Sequence, residues 1–299
     1  MARAQRRHTE AGKRAEQRST RVLWAGMLTG GLIAVGIVLA PGFRNPAEET
    51  VTPVNVLPAE ATPPVAAPAI EELRVRVLHK YPHAADAFTQ GLVWHDGVMY
   101  ESTGQYGQSS LRRVRLEDGK VLAQRELESN FFGEGLERVG DRLIQLTWRS
   151  GVALVWDLGT LERRRTLRYQ GEGWGLCFDG AALVMSDGSS MLEFRDPDSM
   201  ELLREVSVLE KGRPVPKVNE LECVGSEIYA NLWQRNEIVR IDAKTGRVTA
   251  IIDASGLLSR VEALRADVLN GIAYKPDSKT FLLTGKLWPY VFEVELVPR

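Results

Sequence analysis

From Leu73 onward the chain alternates apolar and polar residues in short runs, beginning with Leu73-Arg-Val-Arg-Val-Leu. That period of two is the mark of a half-buried β-strand. The runs come in pairs joined by two to four residues of turn chemistry, such as Asp96-Gly97, Gly140-Asp141, Asp179-Gly180 and Gly225-Ser226. Asp-Gly and its relatives accept the positive φ that a tight hairpin demands. The paired runs are also similar to one another. Five segments share one pattern, starting at Thr89, Gly133, Gly173, Asn219 and Leu269. Anchored at Gln90, Glu134, Trp174, Glu220 and Asn270, the repeats are spaced by 44, 40, 46 and 50 residues. A second pair of alternating runs follows each of the first four hairpins, as in Ser110 to Leu127. Four strands per unit at this spacing is the signature of a propeller blade. The last unit has a third strand, Tyr290 to Leu296, before the chain ends, and the unassigned strand at Leu73 is expected to supply the fourth. The sequence therefore predicts an all-β fold, a five-bladed β-propeller over residues 73–299, its last blade closed by the N-terminal strand. A β-sandwich also shows frequent turns, but it does not require five copies in one register.

Ahead of the repeats the pattern changes twice. Residues 1–21 carry Arg3, Arg6, Arg7, Lys13, Arg14, Arg18 and Arg21, and residues 22–40 contain no charge. An uncharged run of this length reaches about 28 Å as a helix, close to the hydrocarbon thickness of a bilayer. With basic residues on its N-terminal flank it reads as a transmembrane signal-anchor that leaves the rest of the chain on the exported side. A cleavable signal peptide is the competing assignment, and Pro41 just after the small-residue pair Val38 and Ala40 weighs against it. Residues 41–72, rich in Pro, Ala, Glu and Thr, form a tether. The expected location is the cell membrane, single-pass, with the propeller on the periplasmic or extracellular face.

Composition narrows the partners. The 299 residues include 38 Lys and Arg against 39 Asp and Glu, a net charge of -1, which offers no basic stripe for nucleic acid. Four His and two Cys, with neither Cys-x-x-Cys nor His-Glu-x-x-His, give no recognisable metal site, and no cofactor is expected. A monomer is the expected state. Cys177 and Cys223 hold the same repeat position in neighbouring units, and equivalent residues of strands that do not pair are expected to lie too far apart for a bridge. They are expected to be free thiols.

The first strand of each hairpin begins where the second ends, so one rim of the channel should collect Phe88, Gln90, Glu134, Trp174, Asn219, Glu220 and Asn270 from strand starts. Strand ends should add Ser102, Thr103, Thr147, Trp148, Asp187, Trp233 and Lys286. Three tryptophans among placed polar groups are the composition of a small-ligand pocket. Glu134, between Gly133 and Gly135, is the sharpest candidate. Desolvation by the tryptophans would raise its pKa into the range of proton transfer near neutrality, whereas pairing with Lys286 would lower it.

Several stretches carry a resemblance. Phe88-Thr-Gln-Gly-Leu, Phe132-Gly-Glu-Gly-Leu, Leu146-Thr-Trp, Gly171-Glu-Gly-Trp-Gly-Leu, Asn219-Glu-Leu-Glu, Asn231-Leu-Trp and Leu283-Thr-Gly-Lys-Leu-Trp-Pro together closely resemble the plant and bacterial type of glutaminyl-peptide cyclotransferase, over Val77 to about Leu296. The resemblance implies a metal-independent five-bladed propeller that converts the N-terminal Gln of a peptide or protein to pyroglutamate and releases ammonia. It also implies that Glu134 is the acid/base residue and that Phe88, Gln90, Trp148, Trp174, Asn219, Trp233 and Lys286 form the pocket. Two other functions fit a propeller: a calcium-dependent hydrolase of the lactonase kind, which would draw on Glu134, Asp187 and Glu220, and a non-catalytic peptide-binding module.

Overall fold

The computed structural model describes residues 69–299; the basic segment, the apolar span and most of the tether lie outside the described residues. The strands are β1 (Glu71–Pro82), β2 (Thr89–His95), β3 (Val98–Thr103), β4 (Ser110–Arg115), β5 (Lys120–Glu126), β6 (Gly133–Val139), β7 (Arg142–Thr147), β8 (Val152–Asp157), β9 (Arg163–Arg168), β10 (Leu176–Phe178), β11 (Leu183–Ser186), β12 (Met191–Arg195) and β13 (Leu202–Ser207). They continue as β14 (Leu209–Glu210), β15 (Arg213–Pro214), β16 (Val218–Val224), β17 (Glu227–Leu232), β18 (Glu237–Asp242), β19 (Val248–Asp253), β20 (Leu269–Lys275), β21 (Thr280–Gly285) and β22 (Tyr290–Pro298). One helical turn, α1 (Arg260–Ala263), opens on Ser259, whose hydroxyl accepts from Glu262 N while the Glu262 carboxylate accepts from Ser259 N.

The chain is all-β. β2 to β5, β6 to β9 and β10 to β13 each form a four-stranded antiparallel sheet in sequence order, and β14 and β15 form a small hairpin. The remaining strands make one eight-stranded sheet in the order β16-β17-β18-β19-β1-β22-β21-β20. Its seam is β1, which runs antiparallel to β22 from Leu73 opposite Pro298 to Pro82 opposite Tyr290, and parallel to β19 from Glu71 opposite Ala250 to Arg74 opposite Asp253. The strand from the start of the described chain thus satisfies edges left by two later segments, and those edges cannot template aggregation.

Period-two alternation buries both faces of the inner strands. Leu92 faces a cluster with Ala273, Leu282 and Val291, while its neighbour Val93 faces Leu136, Leu143 and Leu154. Leu143 belongs to that second cluster, and the adjacent Ile144 packs with Leu176, Leu183 and Met185. Two further clusters join the third sheet to β16–β18 and β17–β19 to β20–β22. The core is therefore five apolar layers, each between successive groups of strands. The first strands of those groups touch in the cycle β2, β6, β10, β16, β20 and back to β2.

The cycle closes tightly because two glycines permit it. A Cβ on Gly135 would lie 2.7 Å from the Trp174 carbonyl oxygen, and one on Gly175 would lie 2.1 Å from that of Asn219. The same convergence corrects the expectation for the cysteines. Cys177 in β10 and Cys223 in β16 form a disulfide, with Cα atoms 5.4 Å apart. Leu176 pairs with Met185 as Leu221 pairs with Ala230, so Cys223 corresponds to Phe178 rather than to Cys177; that one-residue offset puts the two side chains on opposite faces of their strands, where they meet in the apolar layer between β10 and β16.

Candidate active site

Four of the five first strands break register at their beginnings: between Thr89 and Gly91, Gly133 and Leu136, Val218 and Leu221, and Leu269 and Ile272. Such irregularities leave residues out of the ladder and re-aim their side chains. The residues left out include Gln90, Glu134, Asn219 and Asn270, and the pairing makes them equivalent. This corrects the sequence register of the fourth repeat by one residue. Asn219, not Glu220, corresponds to Glu134, and Glu220 stands where the four other repeats have Gly91, Gly135, Gly175 and Gly271. Its carboxylate is buried and accepts hydrogen bonds from Leu92 N at 3.2 Å and Ile272 N at 2.8 Å, so it ties strands together away from the cavity.

A cavity of about 660 Å³ opens at this rim. All eight residues proposed from sequence line it: Phe88, Gln90, Glu134, Trp148, Trp174, Asn219, Trp233 and Lys286. The aromatic wall is half-buried and interlocked edge to face: Phe132 meets Phe88 and Trp148 with centroids 6.2 and 5.6 Å apart, and Trp174 meets Trp233 at 5.6 Å. Not every residue expected at the rim reaches the cavity. Asp187 accepts from Ser189 N at 2.9 Å in its own turn, and Thr147 donates to the Val152 carbonyl at 2.6 Å. Ser102 accepts from Gln145 Nε2 at 2.8 Å.

The polar floor is a short network. Gln90 Nε2 donates to Glu134 Oε1 at 3.0 Å, Asn270 Nδ2 donates to Gln90 Oε1 at 3.3 Å, and Asn219 Nδ2 donates to Asn270 Oδ1 at 2.8 Å. All three amides, Gln90, Asn219 and Asn270, are thereby oriented. Burial pushes the Glu134 carboxyl well above the usual range; the Lys286 charge pulls it back in part, and the Glu172 charge adds to the rise. Burial likewise lowers the Lys286 ammonium, against the attraction of Glu134 and Asp267. Lys286 Nζ lies 4.9 Å from the centroid of the Phe88 ring, and among the described residues it has no hydrogen-bond or ion-pair partner. Of the two sequence alternatives for Glu134, desolvation outweighs pairing.

The turn that presents Lys286 is anchored from beneath. Leu287 N donates to the Ala87 carbonyl at 2.7 Å, and Trp288 Nε1 donates to the Asp267 carbonyl at 2.8 Å. Buried His83 uses both ring nitrogens: Nδ1 is 2.7 Å from the Trp288 carbonyl, and Nε2 is 2.9 Å from Glu101 Oε1. A carbonyl can only accept, and Glu101 also accepts from Thr89 Oγ1 at 2.7 Å, so both nitrogens donate and the ring is an imidazolium. Through the Thr89 hydroxyl at one end and the Trp288 carbonyl at the other, that ion pair links the strand after Phe88 to the turn after Lys286.

Sequence reasoning missed Phe132, Arg149, Glu172 and Asp267, which also line the cavity. Glu172 lies in the connection between β9 and β10, at the repeat position that Phe88 and Phe132 hold, where a carboxylate breaks the aromatic pattern. Phe132 could have been found, since it precedes Gly133 as Phe88 precedes Thr89. Among the described residues, no three His, Cys, Asp or Glu side chains converge as a metal ion would require.

A ring of strand groups with an aromatic pocket over a desolvated carboxylate defines an enzyme-like site. The family model described as glutamine cyclotransferase matches residues 50–296, and the chain belongs to that family. It is 40% identical over 227 residues to a glutaminyl-peptide cyclotransferase of Arabidopsis thaliana, an alignment covering 74% of this chain and 71% of the relative. It superposes on the crystal structure of Myxococcus xanthus glutaminyl cyclase with a TM-score of 0.71 and 44% identity, over 77% of this chain and all of the other.

Proposed function

We infer that the chain is a glutaminyl-peptide cyclotransferase, an enzyme that closes the N-terminal Gln of a peptide or protein to pyroglutamate with release of ammonia. Family membership supports the reaction, and one observation supports the route: a buried carboxylate of raised pKa, Glu134, shares an aromatic cavity with an unpaired ammonium, Lys286. The reaction joins the substrate's α-nitrogen to its own side-chain carboxamide carbon, so a wall that keeps the glutamine curled supplies much of the advantage through proximity. Trp148, Trp174 and Trp233 form that wall. Glu134 takes a proton from the attacking amine and returns it to the departing nitrogen, which leaves as ammonia. The raised pKa suits both transfers. Lys286 donates to the carboxamide oxygen as charge gathers there; Gln90 and Asn219 each already spend an amide hydrogen within the network, which makes them weaker candidates for that role.

The proposed scaffold is a five-bladed β-propeller: β2–β5, β6–β9, β10–β13, β16–β19 and β20–β22 with β1 as blades around the channel. The cycle of first strands and the five apolar layers support it. We propose further that residues 22–40 anchor the enzyme in the membrane with the propeller exported, a reading that the disulfide favours, since such bonds persist in oxidising compartments. Deletion of residues 1–40 should then move the protein out of the membrane fraction.

The reaction is tested by following ammonia release from a Gln-initiated peptide with and without chelator. Release insensitive to chelator is expected. Chelator-dependent release would favour the calcium-type hydrolase, and no release would leave a peptide-binding module.

A further inference from the structure

Glu172 is the polar residue of the cavity best connected to its walls. Its Oε2 accepts from the indole N–H of Trp148 at 2.7 Å and from that of Trp174 at 3.1 Å, and its Oε1 accepts from Arg149 Nε at 2.7 Å. The two tryptophans come from different strand groups, Trp148 from the end of β7 and Trp174 from the approach to β10. Neither is fixed by burial alone, because each presents a face to the cavity. Each also has packing contacts, which belong to its own side of the cavity. Trp148 stacks beneath Arg149, whose guanidinium carbon is 3.9 Å from the ring centroid, and meets Phe132; Trp174 meets Trp233. Among the described residues, the bifurcated carboxylate is the group that hydrogen-bonds both indoles.

We propose that Glu172 is a positioning residue, a clamp that sets the separation and tilt of Trp148 and Trp174 and so the width of the slot in which the substrate glutamine curls. The proposal rests on the cyclotransferase reading above. A hydrogen bond to an ionised acceptor is about twice as strong as a neutral one, so a single carboxylate can hold two rings that a neutral group would hold loosely. The carboxyl is suited to stay ionised: burial alone would raise its pKa, but hydrogen bonds from Trp174, Arg149 and Trp148 hold it below the ordinary range. Its charge has a second consequence, because it contributes to the raised pKa of Glu134. Glu172 therefore acts on the reaction through geometry and through field, without touching the reacting atoms.

Two substitutions in the full chain separate these effects. In Glu172→Ala both indole bonds are lost; KM for a Gln-initiated peptide should rise about tenfold or more while kcat changes less, and tryptophan emission of the substrate-free protein should shift to the red. In Glu172→Gln a neutral oxygen still accepts from both rings, so KM should stay within about threefold of wild type. The acid limb of kcat/KM should nevertheless move to lower pH, because Glu134 has lost a like charge nearby. Wild-type KM and emission in a folded Glu172→Ala protein would overturn the proposal. Should that variant fail to fold, wild-type KM and emission in Glu172→Met, which fills the space without accepting from either indole, would overturn it instead. Emission is read without substrate, so the clamp is judged even if wild-type protein forms no pyroglutamate, a result that would defeat the reaction and leave the clamp intact.

Discussion

At the scale of single residues, the site is a balance between one carboxylate and one ammonium, both buried and without a direct ion pair between them among the described residues. Glu134, as the proposed base, would serve only above its raised pKa, so the acid limb of kcat/KM should lie above 4.5, the ordinary value. Lys286, as the proposed cationic donor, would serve only below its lowered pKa, so the alkaline limb should lie below 10.5. Substitution Lys286→Met tests the coupling with a definite sign. The cation holds the Glu134 pKa down, so its removal should move the acid limb further up while kcat falls, both read from a pH series of initial rates. An acid limb that moves down or stays fixed would show that the two groups do not share a field. Glu134 and Lys286 were legible in the sequence because they interrupt a repeat. Glu172 was not, because it stands where two other repeats have Phe88 and Phe132, and a carboxylate in that place bears no likeness to its counterparts.

At the scale of elements, the site depends on how closely first strands approach. Gly175 needs no unusual φ; its requirement is space, since a methyl group there would meet the Asn219 carbonyl oxygen at 2.1 Å. Backbone cannot swing aside as a long side chain can. Gly175→Ala should therefore cost about 2 kcal/mol or more in urea denaturation, within the range for overpacked cores, and raise KM by displacing Asn219 and Trp174 together. The strands themselves were readable, since alternation and turn residues mark each hairpin. Two features were less plain. The fourth repeat places Asn219 and Glu220 side by side, and polarity alone does not choose between them; Leu221, in the place of Leu92, Leu136 and Ile272, selects Asn219, as does the break in pairing at Val218 and Leu221. The parallel pairing of β1 with β19 leaves no trace in alternation, because a strand reads the same whether one neighbour or two lie beside it.

At the scale of the whole molecule, the ring is held by apolar layers, by β1 joining its last two strand groups, and by one covalent bond. The disulfide between Cys177 and Cys223 spans 46 residues of chain and closes a loop that the unfolded protein would otherwise sample freely. Chain-entropy arguments assign a loop of that size about 4 kcal/mol, and measured losses for native bridges run from about 2 to 5. Chemical reduction, or Cys177→Ser with Cys223→Ser, should lower unfolding free energy within that span and leave kcat nearly unchanged in protein that remains folded. The bridge is hidden in the sequence because the register of the fourth repeat is off by one residue: it makes the cysteines equivalent, whereas the true offset turns them toward each other across one apolar layer.

The central claim is that Glu134 carries protons during ring closure in a cavity built to hold a curled glutamine. Mass spectrometry of a Gln-initiated peptide incubated with wild-type protein and with Glu134→Gln tests it most directly. The account predicts that wild type converts the peptide to the species lighter by one ammonia, and that Glu134→Gln is slower by about 100-fold or more, the scale of general acid–base catalysis, while unfolding no more easily than wild type at neutral pH. The second half follows from the pKa: a buried carboxyl whose folded pKa is raised loses stability as pH climbs from 4.5 through that higher value, and the amide has no proton to lose. Full activity in Glu134→Gln, with the peptide still losing ammonia at the wild-type rate, would contradict it.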